Sequence, residues 1–292
     1  MFNMSYKSQK TLILVSFLFI PLVLLFTFTY YPAANLFYYS MLRWDGLTNK
    51  EFIGFQNYKE IFTNPDYFAV LKNNLYYFIG GVVQTGLALY FAVVLNGKIR
   101  GRNGFRVILF LPYIMHSVAI VFMFQALFNN QYGTLNAFLH AIGLDFLQQN
   151  WLGDRPTVNY ALAFISLWKY MGLSLVIFMG ALQSIPQDVY EAARIDGASA
   201  SQQFWSITLP SIRKVVELLL LLTISGALSA FEIPFIMTGG ANGTETFITK
   251  TIAVAFSFNQ IGLGSALAVV MLLIVLLFIG LQKIILRGDD DQ

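Results

Sequence analysis

Long apolar runs alternate with short mixed segments along this chain, and the runs set its architecture. Six are long enough to cross ~30 Å of bilayer hydrocarbon, for which about 20 helical residues suffice. They cover residues 11–32, 74–95, 105–128, 158–183, 215–238 and 262–286. None keeps a two-residue alternation over its length, and lipid offers no partner to bare backbone groups. Each run therefore predicts a transmembrane α-helix rather than a barrel strand, and the chain an all-α membrane protein with six transmembrane helices. Lys7 and Lys10 precede the first run as they would in a signal peptide. The run from Thr11 to Tyr31 is too long for an h-region of ~7–15 residues, and five more follow, so it reads as a retained helix.

Prolines punctuate three of the runs. Pro21, Pro112 and Pro234 each remove a backbone donor and are expected to kink or break their helices. Two connections look structured. In YGTLNAFLHAIGL (132–144), Leu135, Phe138, Leu139 and Ile142 recur at helical spacing, which predicts a short helix on the outer membrane face. WDGLTNKEFIGFQNYKEIFTNPDYF (44–68) interleaves aromatic residues with turn formers. Both segments suit a docking surface, and both equally suit ordinary capping of the bundle.

Composition supports the membrane reading. Of the 292 residues 57% are hydrophobic and 11% charged, against about 25% charged in soluble domains. Cysteine is absent, which excludes disulfides, thiolate metal sites and thiol catalysis. The net charge of +3 is small, and no basic tract is dense enough for a nucleic-acid backbone. His116 and His140 are the only histidines, one inside the third run and one outside, so a His-rich metal site has no support. No serine sits in a nucleophile elbow, so an intramembrane hydrolase has none either.

The distribution of lysine and arginine gives an orientation. Lys7 and Lys10, then Lys98, Arg100, Arg102 and Arg106, then Arg194, Arg213 and Lys214, then Lys283 and Arg287 all fall on one side. On the other side the third connection has only Arg155 against Asp145 and Asp154, and the fifth only Lys250 against Glu245. The first connection is mixed. The N-terminal tail (1–10), the C-terminal tail (287–292) and the loop 184–214 are therefore expected in the cytoplasm.

That loop contains EAARIDGASASQQFWSITLP (191–210). Glu191, Ala192 and Ala193 are good helix formers, and the two alanines leave one face small. Gly197 permits a turn, a second helical piece follows, and Pro210 marks the entry to the fifth membrane helix. The shape suits insertion into a groove on a soluble partner. An amphipathic loop helix without a partner would read the same way.

The spacing from Glu191-Ala192-Ala193 through Asp196-Gly197 to Ile207, Leu209 and Pro210 resembles the EAA loop of permease subunits in binding-protein-dependent ABC importers. FIGFQNYKEIFTNPDYF (52–68), YGTLNAFLHAIGL and MTGGANGTETFITKTIAVAFSFNQIGLGSALAVV (237–270) are similar to the sugar branch of that family, which includes maltose- and glycerol-phosphate-type permeases. The resemblance covers about residues 11–286. It implies the ABC type I importer permease fold in a prokaryotic cell membrane, crossed several times. It implies that the EAA segment is a coupling helix seated in a cytoplasmic ATPase subunit, with Glu191 facing a basic group there and Gly197 forming the bend. It also implies a second, different permease chain, two ATP-binding subunits, an extracellular binding protein and a sugar substrate, most simply an oligosaccharide or sugar derivative. ATP and Mg belong to the ATPase partner. This chain has no G-x-x-x-x-G-K-[ST] loop and is expected to bind no cofactor and to be no enzyme.

A charge at mid-membrane costs ~2.5–3.5 kcal/mol on insertion scales, so each needs a reason. Lys169, beside Trp168 and Tyr170, lies in the fourth run, and Glu232, beside Phe231, in the fifth. One reading is a sugar path, in which aromatic rings stack on sugar faces and polar groups bind hydroxyls. The other is a structural ion pair, or Lys169 snorkelling along its own helix. Gln84, Tyr170, Ser174, Ser225, Ser229 and Ser265 are further candidates for the path, though small polar residues also serve helix packing. An ion-driven secondary transporter and an ABC permease for a phosphate ester or amino-acid conjugate are the rival functions. The EAA loop argues against the first, and the lack of a strongly basic pore against the second.

Overall fold

The computed structural model describes residues 5–97 and 99–287, the last three by backbone alone. Lys98, the Asp289–Asp291 run and the outer ends of both tails lie outside the described residues. Helix α1 (Tyr6–Leu25) passes through a π turn at Phe26–Tyr30 into α2 (Tyr31–Tyr39). Strands β1 (Leu42–Arg43) and β2 (Glu51–Phe52) pair antiparallel, with Leu42 opposite Phe52. Helices α3 (Gln56–Thr63), α4 (Asp66–Ala69), α5 (Leu71–Asn96), α6 (Arg102–Ile114), α7 (Ser117–Leu127), α8 (Thr134–Ala141) and α9 (Arg155–Gln183) follow. After them come α10 (Gln187–Ile195), α11 (Ala200–Gln203), a π turn at Phe204–Thr208, α12 (Leu209–Ser211), α13 (Arg213–Leu228) and α14 (Glu232–Thr238). The chain ends with α15 (Phe247–Ile252), a π turn at Ala253–Ser257 and α16 (Ile261–Arg287). Five of the described helical stretches are long and apolar enough to cross a membrane, or six if α6 and α7, bent by 100° at their junction, make one span.

The chain divides into two compact units. One is built from residues up to Pro65 with Thr251–Leu272, the other from Asp66–Lys250 with the chain from Leu273 on. In the first unit, Asn57 is buried and its Nδ2 donates to the carbonyls of Ser40 and Leu42, each at 2.9 Å. Gly262 packs so close to this turn that a Cβ there would lie 1.9 Å from the Leu42 carbonyl oxygen, which only glycine avoids. Its N–H donates to the Trp44 carbonyl at 3.0 Å. The Asp45 carboxylate accepts the N–H groups of Leu47 and Thr48 and the Thr48 hydroxyl at 2.7–2.9 Å. Those bonds, that of the Thr48 N–H foremost, hold its pKa down to about 2. Helix α1 has no buried residue although from Leu12 on it is apolar apart from Ser16, as expected of a helix solvated by lipid. Ser265, on α16, is buried.

In the second unit α9 is the central element, packed against α5 and α6, with α13 also on α5. Gly172 of α9 makes this possible, since a Cβ there would lie 2.5 Å from the Leu109 carbonyl oxygen of α6. Two apolar clusters flank α9. One gathers Phe124, Val158, Leu162, Ile165 and Ile233, and the other Ala88, Ala92, Leu175, Phe178 and Leu219.

The prolines do not mark the breaks. Pro21 sits inside α1, and the helical path continues past it to Tyr39 with only the π turn at Phe26–Tyr30. The third run breaks at Met115–His116, after Pro112, and His116 caps α7 by accepting the Val118 N–H on Nδ1 at 3.3 Å. The fifth run breaks at Ser229–Phe231, before Pro234. Pro234 falls in the first turn of α14, where its missing N–H would have had no intrahelical partner. The segment 132–144 does contain a helix, α8. The fifth connection contains a helix of its own, α15.

Candidate functional site

The break between α13 and α14 frees backbone carbonyls inside the unit, and side chains satisfy them. Asn74 of α5 donates to the carbonyls of Ala227 at 2.8 Å and Leu228 at 3.0 Å. Its Oδ1 accepts the Phe247 N–H at 3.3 Å. The Thr246 hydroxyl donates to the Ala230 carbonyl at 2.7 Å. Discontinuous backbone at membrane depth is tolerated where protein satisfies it or where it lines a cavity, and here both hold.

The cavity beside the break has a volume of about 480 Å³ and lies among α5, α9, α13 and α14. Five of the residues singled out from sequence line it: Gln84, Tyr170, Ser174, Ser229 and Glu232. Gln84 Nε2 donates to Ser174 Oγ at 2.8 Å, which locks both side chains across α5 and α9. Trp168 and Ser225 are not among the lining residues. The Trp168 ring instead meets Phe124 edge-on, with centroids 5.4 Å apart, in the apolar cluster around Val158 and Ile165. The Ser225 carbonyl accepts the Ser229 N–H at the end of α13.

Lys169 and Glu232 pair. Lys169 Nζ donates to Glu232 Oε2 at 3.1 Å. The Ser117 hydroxyl, at the start of α7, makes short hydrogen bonds to both, accepting from Lys169 and donating to Glu232. The pair is asymmetric: the Lys169 side chain is 7% exposed and that of Glu232 53%. A buried cation without a partner would be strongly destabilising, so Glu232 and Ser117 are what permit Lys169 at this depth. The triad also ties the start of α14 to the start of α7, each of which follows a helix break.

Ser117, Asn74, Tyr77 and Thr223 were not singled out from sequence, yet Tyr77 and Thr223 line the cavity and the other two hold its walls. The adjacent amides Asn73 and Asn74 at the head of an apolar run carried a signal, because polar groups there need partners. Ser117 and Thr223 carried none. Among the described residues no three His, Asp or Glu side chains converge as a metal site.

The loop after α9 forms a second site. Helix α10 ends in a Schellman turn: the Ala198 N–H donates to the Ala193 carbonyl at 2.9 Å and the Gly197 N–H to the Arg194 carbonyl at 3.1 Å. Gly197 takes φ +82°, and Asp196 is the preceding cap residue. Ser199 then opens α11 with a capping box to Gln202. The Tyr190 hydroxyl lies 2.9 Å from Thr208 Oγ1 and ties α10 to the returning segment. That segment carries Ile207 in the π turn and Leu209 and Pro210 in α12. Glu191 is held by Gln187, whose Nε2 donates to its Oε1 at 2.8 Å, and Ala192 is exposed beside it while Ala193 is half-buried. No residue of α10 is buried, and Ile195 is 86% exposed.

Comparison with known proteins places this arrangement. Residues 84–288 match the family described as binding-protein-dependent transport system inner membrane component. The probable ABC transporter permease protein YurN of Bacillus subtilis is 34% identical, the match covering 90% of this chain and 92% of that protein. The multiple sugar-binding transport system permease protein MsmF of Streptococcus mutans is 33% identical, over 89% of this chain and 90% of its own length. A bacterial ABC transporter involved in import of the acidic polysaccharide alginate shares the fold, with TM-score 0.80, 97% of each chain covered and 20% identity. With a family match over most of its length and relatives at this identity, the chain belongs to the binding-protein-dependent transport system inner membrane components and is an all-α permease of the inner membrane.

Proposed function

We propose that this chain is one of two different permease subunits of an ATP-driven importer and forms part of the path for a saccharide delivered by an extracellular binding protein. Two cytoplasmic ATPase subunits bind ATP and Mg, and α10 seats in a cleft of one of them. Glu191 meets a basic group there, Ala192 and Ala193 allow close approach, and Gly197 makes the bend. Closure of the ATPase subunits on ATP moves the coupling helices, and the membrane helices switch between inward- and outward-facing states.

The observation that carries this reading is the exposure of α10. A nine-residue helix is closed at its C-terminal end by a Schellman turn and tied back through Tyr190, yet none of its residues is fully buried and Ile195 is presented almost fully to solvent. Local geometry is fixed by these bonds while the outer face is exposed, which is the form of a preorganised docking element. The saccharide reading rests on the cavity, whose polar groups are hydroxyls, an amide and a carboxylate, and on the similarity to MsmF, a multiple sugar-binding transport system permease protein.

The test is co-purification. The tagged wild-type chain, extracted gently from its native membrane, is expected to bring an ATPase and a second permease. Glu191→Lys and Ile195→Asp are expected to lose the ATPase and keep the permease. Recovery of the chain alone in every case, under conditions that preserve known complexes, would return the ion-driven transporter to first place.

A further inference from the structure

The cavity has a charge pattern that narrows the substrate, provided the importer reading above holds. Among the described residues lining it, Glu232 is the only charged one. Lys169 lies behind it, 7% exposed, with Nζ engaged by Glu232 Oε2 and Ser117. The cation of the pair faces protein and the anion faces the cavity.

Two acceptors are left open. Glu232 Oε2 takes both hydrogen bonds, and Oε1 has no partner among the described residues. The Tyr77 hydroxyl is buried, belongs to a residue lining the same cavity, and also has no partner among the described residues. The Tyr77 hydroxyl, a buried polar atom left unpaired at a cavity wall, is costly and points to a ligand that completes it, and the half-exposed Glu232 Oε1 is open to the same ligand. What completes a carboxylate oxygen is a hydrogen-bond donor, and what completes a phenol is a donor or an acceptor. A neutral polyol supplies both from every hydroxyl. A uronate, sulfate or phosphate ester would set an anion against Glu232, with no cation among the described lining residues to receive it.

We propose that this chain's share of the path passes uncharged saccharides and rejects acidic ones, with Glu232 as the specificity-determining residue and Lys169 as the buried counter-ion that holds it. The fold shared with the alginate transporter does not carry its acidic substrate across, because chemistry resides in the lining and not in the fold.

The experiment is an uptake screen. Cells carrying the complete native importer, and the same cells lacking this chain, are fed a mixed hydrolysate of neutral and uronate-bearing polysaccharides. Depletion of each oligosaccharide is followed by mass spectrometry. Chain-dependent uptake should be confined to neutral members, with uronate-bearing ones slower by at least ~100-fold, as like charges at close range require. Glu232→Gln leaves Lys169 as the local charge and should raise the acidic-to-neutral uptake ratio by at least ~10-fold. Chain-dependent uptake of uronates at a rate comparable to neutral sugars would overturn the inference and leave the saccharide reading intact. An equal fall of both classes in Glu232→Gln would make the pair purely structural and overturn it too. Chain-dependent uptake of no saccharide at all would remove both readings. If the variant fails to insert, the wild-type screen alone decides.

Discussion

Replacing Asn74 by alanine should loosen the break between α13 and α14, and the size of the effect follows from its contacts. Three hydrogen bonds are lost, to the carbonyls of Ala227 and Leu228 at 2.8 and 3.0 Å and from the Phe247 N–H at 3.3 Å. Side-chain hydrogen bonds between membrane helices average ~0.6 kcal/mol, which gives about 2 kcal/mol for three. The partners here are backbone groups at a helix break, and a buried group left unsatisfied costs roughly 1–3 kcal/mol. Asn74 is 3% exposed, so water does not readily take its place. The longest bond adds least, and the expected loss is about 2–4 kcal/mol. Titration of the detergent-purified protein with a denaturing detergent measures it. Asn73→Ala is the control, because Asn73 donates one bond, to the Glu245 carbonyl at 2.7 Å, and should lose only about 1 kcal/mol. A loss below ~0.5 kcal/mol for Asn74→Ala, or one equal to that of Asn73→Ala, would refute the claim that this side chain holds the break open.

The other predictions are shorter. Gly197→Asp meets no atom within 4 Å and aspartate tolerates positive φ at a cost of ~1–2 kcal/mol. The protein should therefore insert normally while ATP-driven uptake collapses, and normal uptake would count heavily against the coupling role of α10. Trp168→Ala should act on stability, toward the lower end of the ~3–5 kcal/mol typical of aromatic truncations, because the ring packs on Phe124 away from the cavity. Altered substrate affinity at unchanged stability would return Trp168 to the path. The Asp45 turn stabilises the ionised carboxylate, whose ordinary pKa of 3.8 is lowered to about 2. Its contribution is complete above pH 3.8 and fades as pH falls through about 2, so amide exchange at Leu47 and Thr48 should stay protected at pH 3 and rise near pH 2. Loss of protection already at pH 4 would contradict that turn.

The features legible in the sequence were those set by local chemistry. Apolar runs of membrane length located the long helices, since lipid leaves the backbone no alternative. The EAA loop was legible down to its turn, because good helix formers followed by Gly197 and a second helical piece leave few conformations open, while the capping box of Ser199 and Gln202 emerged only from the structure. What escaped was set by contacts distant in sequence. Pro112 and Pro234 suggested kinks at themselves, whereas the breaks fall where Asn74, Thr246 and His116 can satisfy the freed groups. Trp168 had the right residue type beside the right lysine, but two helical positions, about 200° of rotation, separate it from Tyr170, which reaches the cavity while Trp168 joins the apolar cluster. The Lys169–Glu232 pairing was open as one of several readings, and Ser117, which bridges it, gave no sign in a run of apolar neighbours.

The most direct measurement is transport by the complete assembly in liposomes, with binding protein and a labelled neutral oligosaccharide outside and ATP with Mg inside. The account predicts accumulation above the external concentration that needs both ATP and the binding protein, and that Gly197→Asp abolishes. Accumulation that proceeds without ATP, driven by a proton or sodium gradient and unaffected by Gly197→Asp, would contradict it.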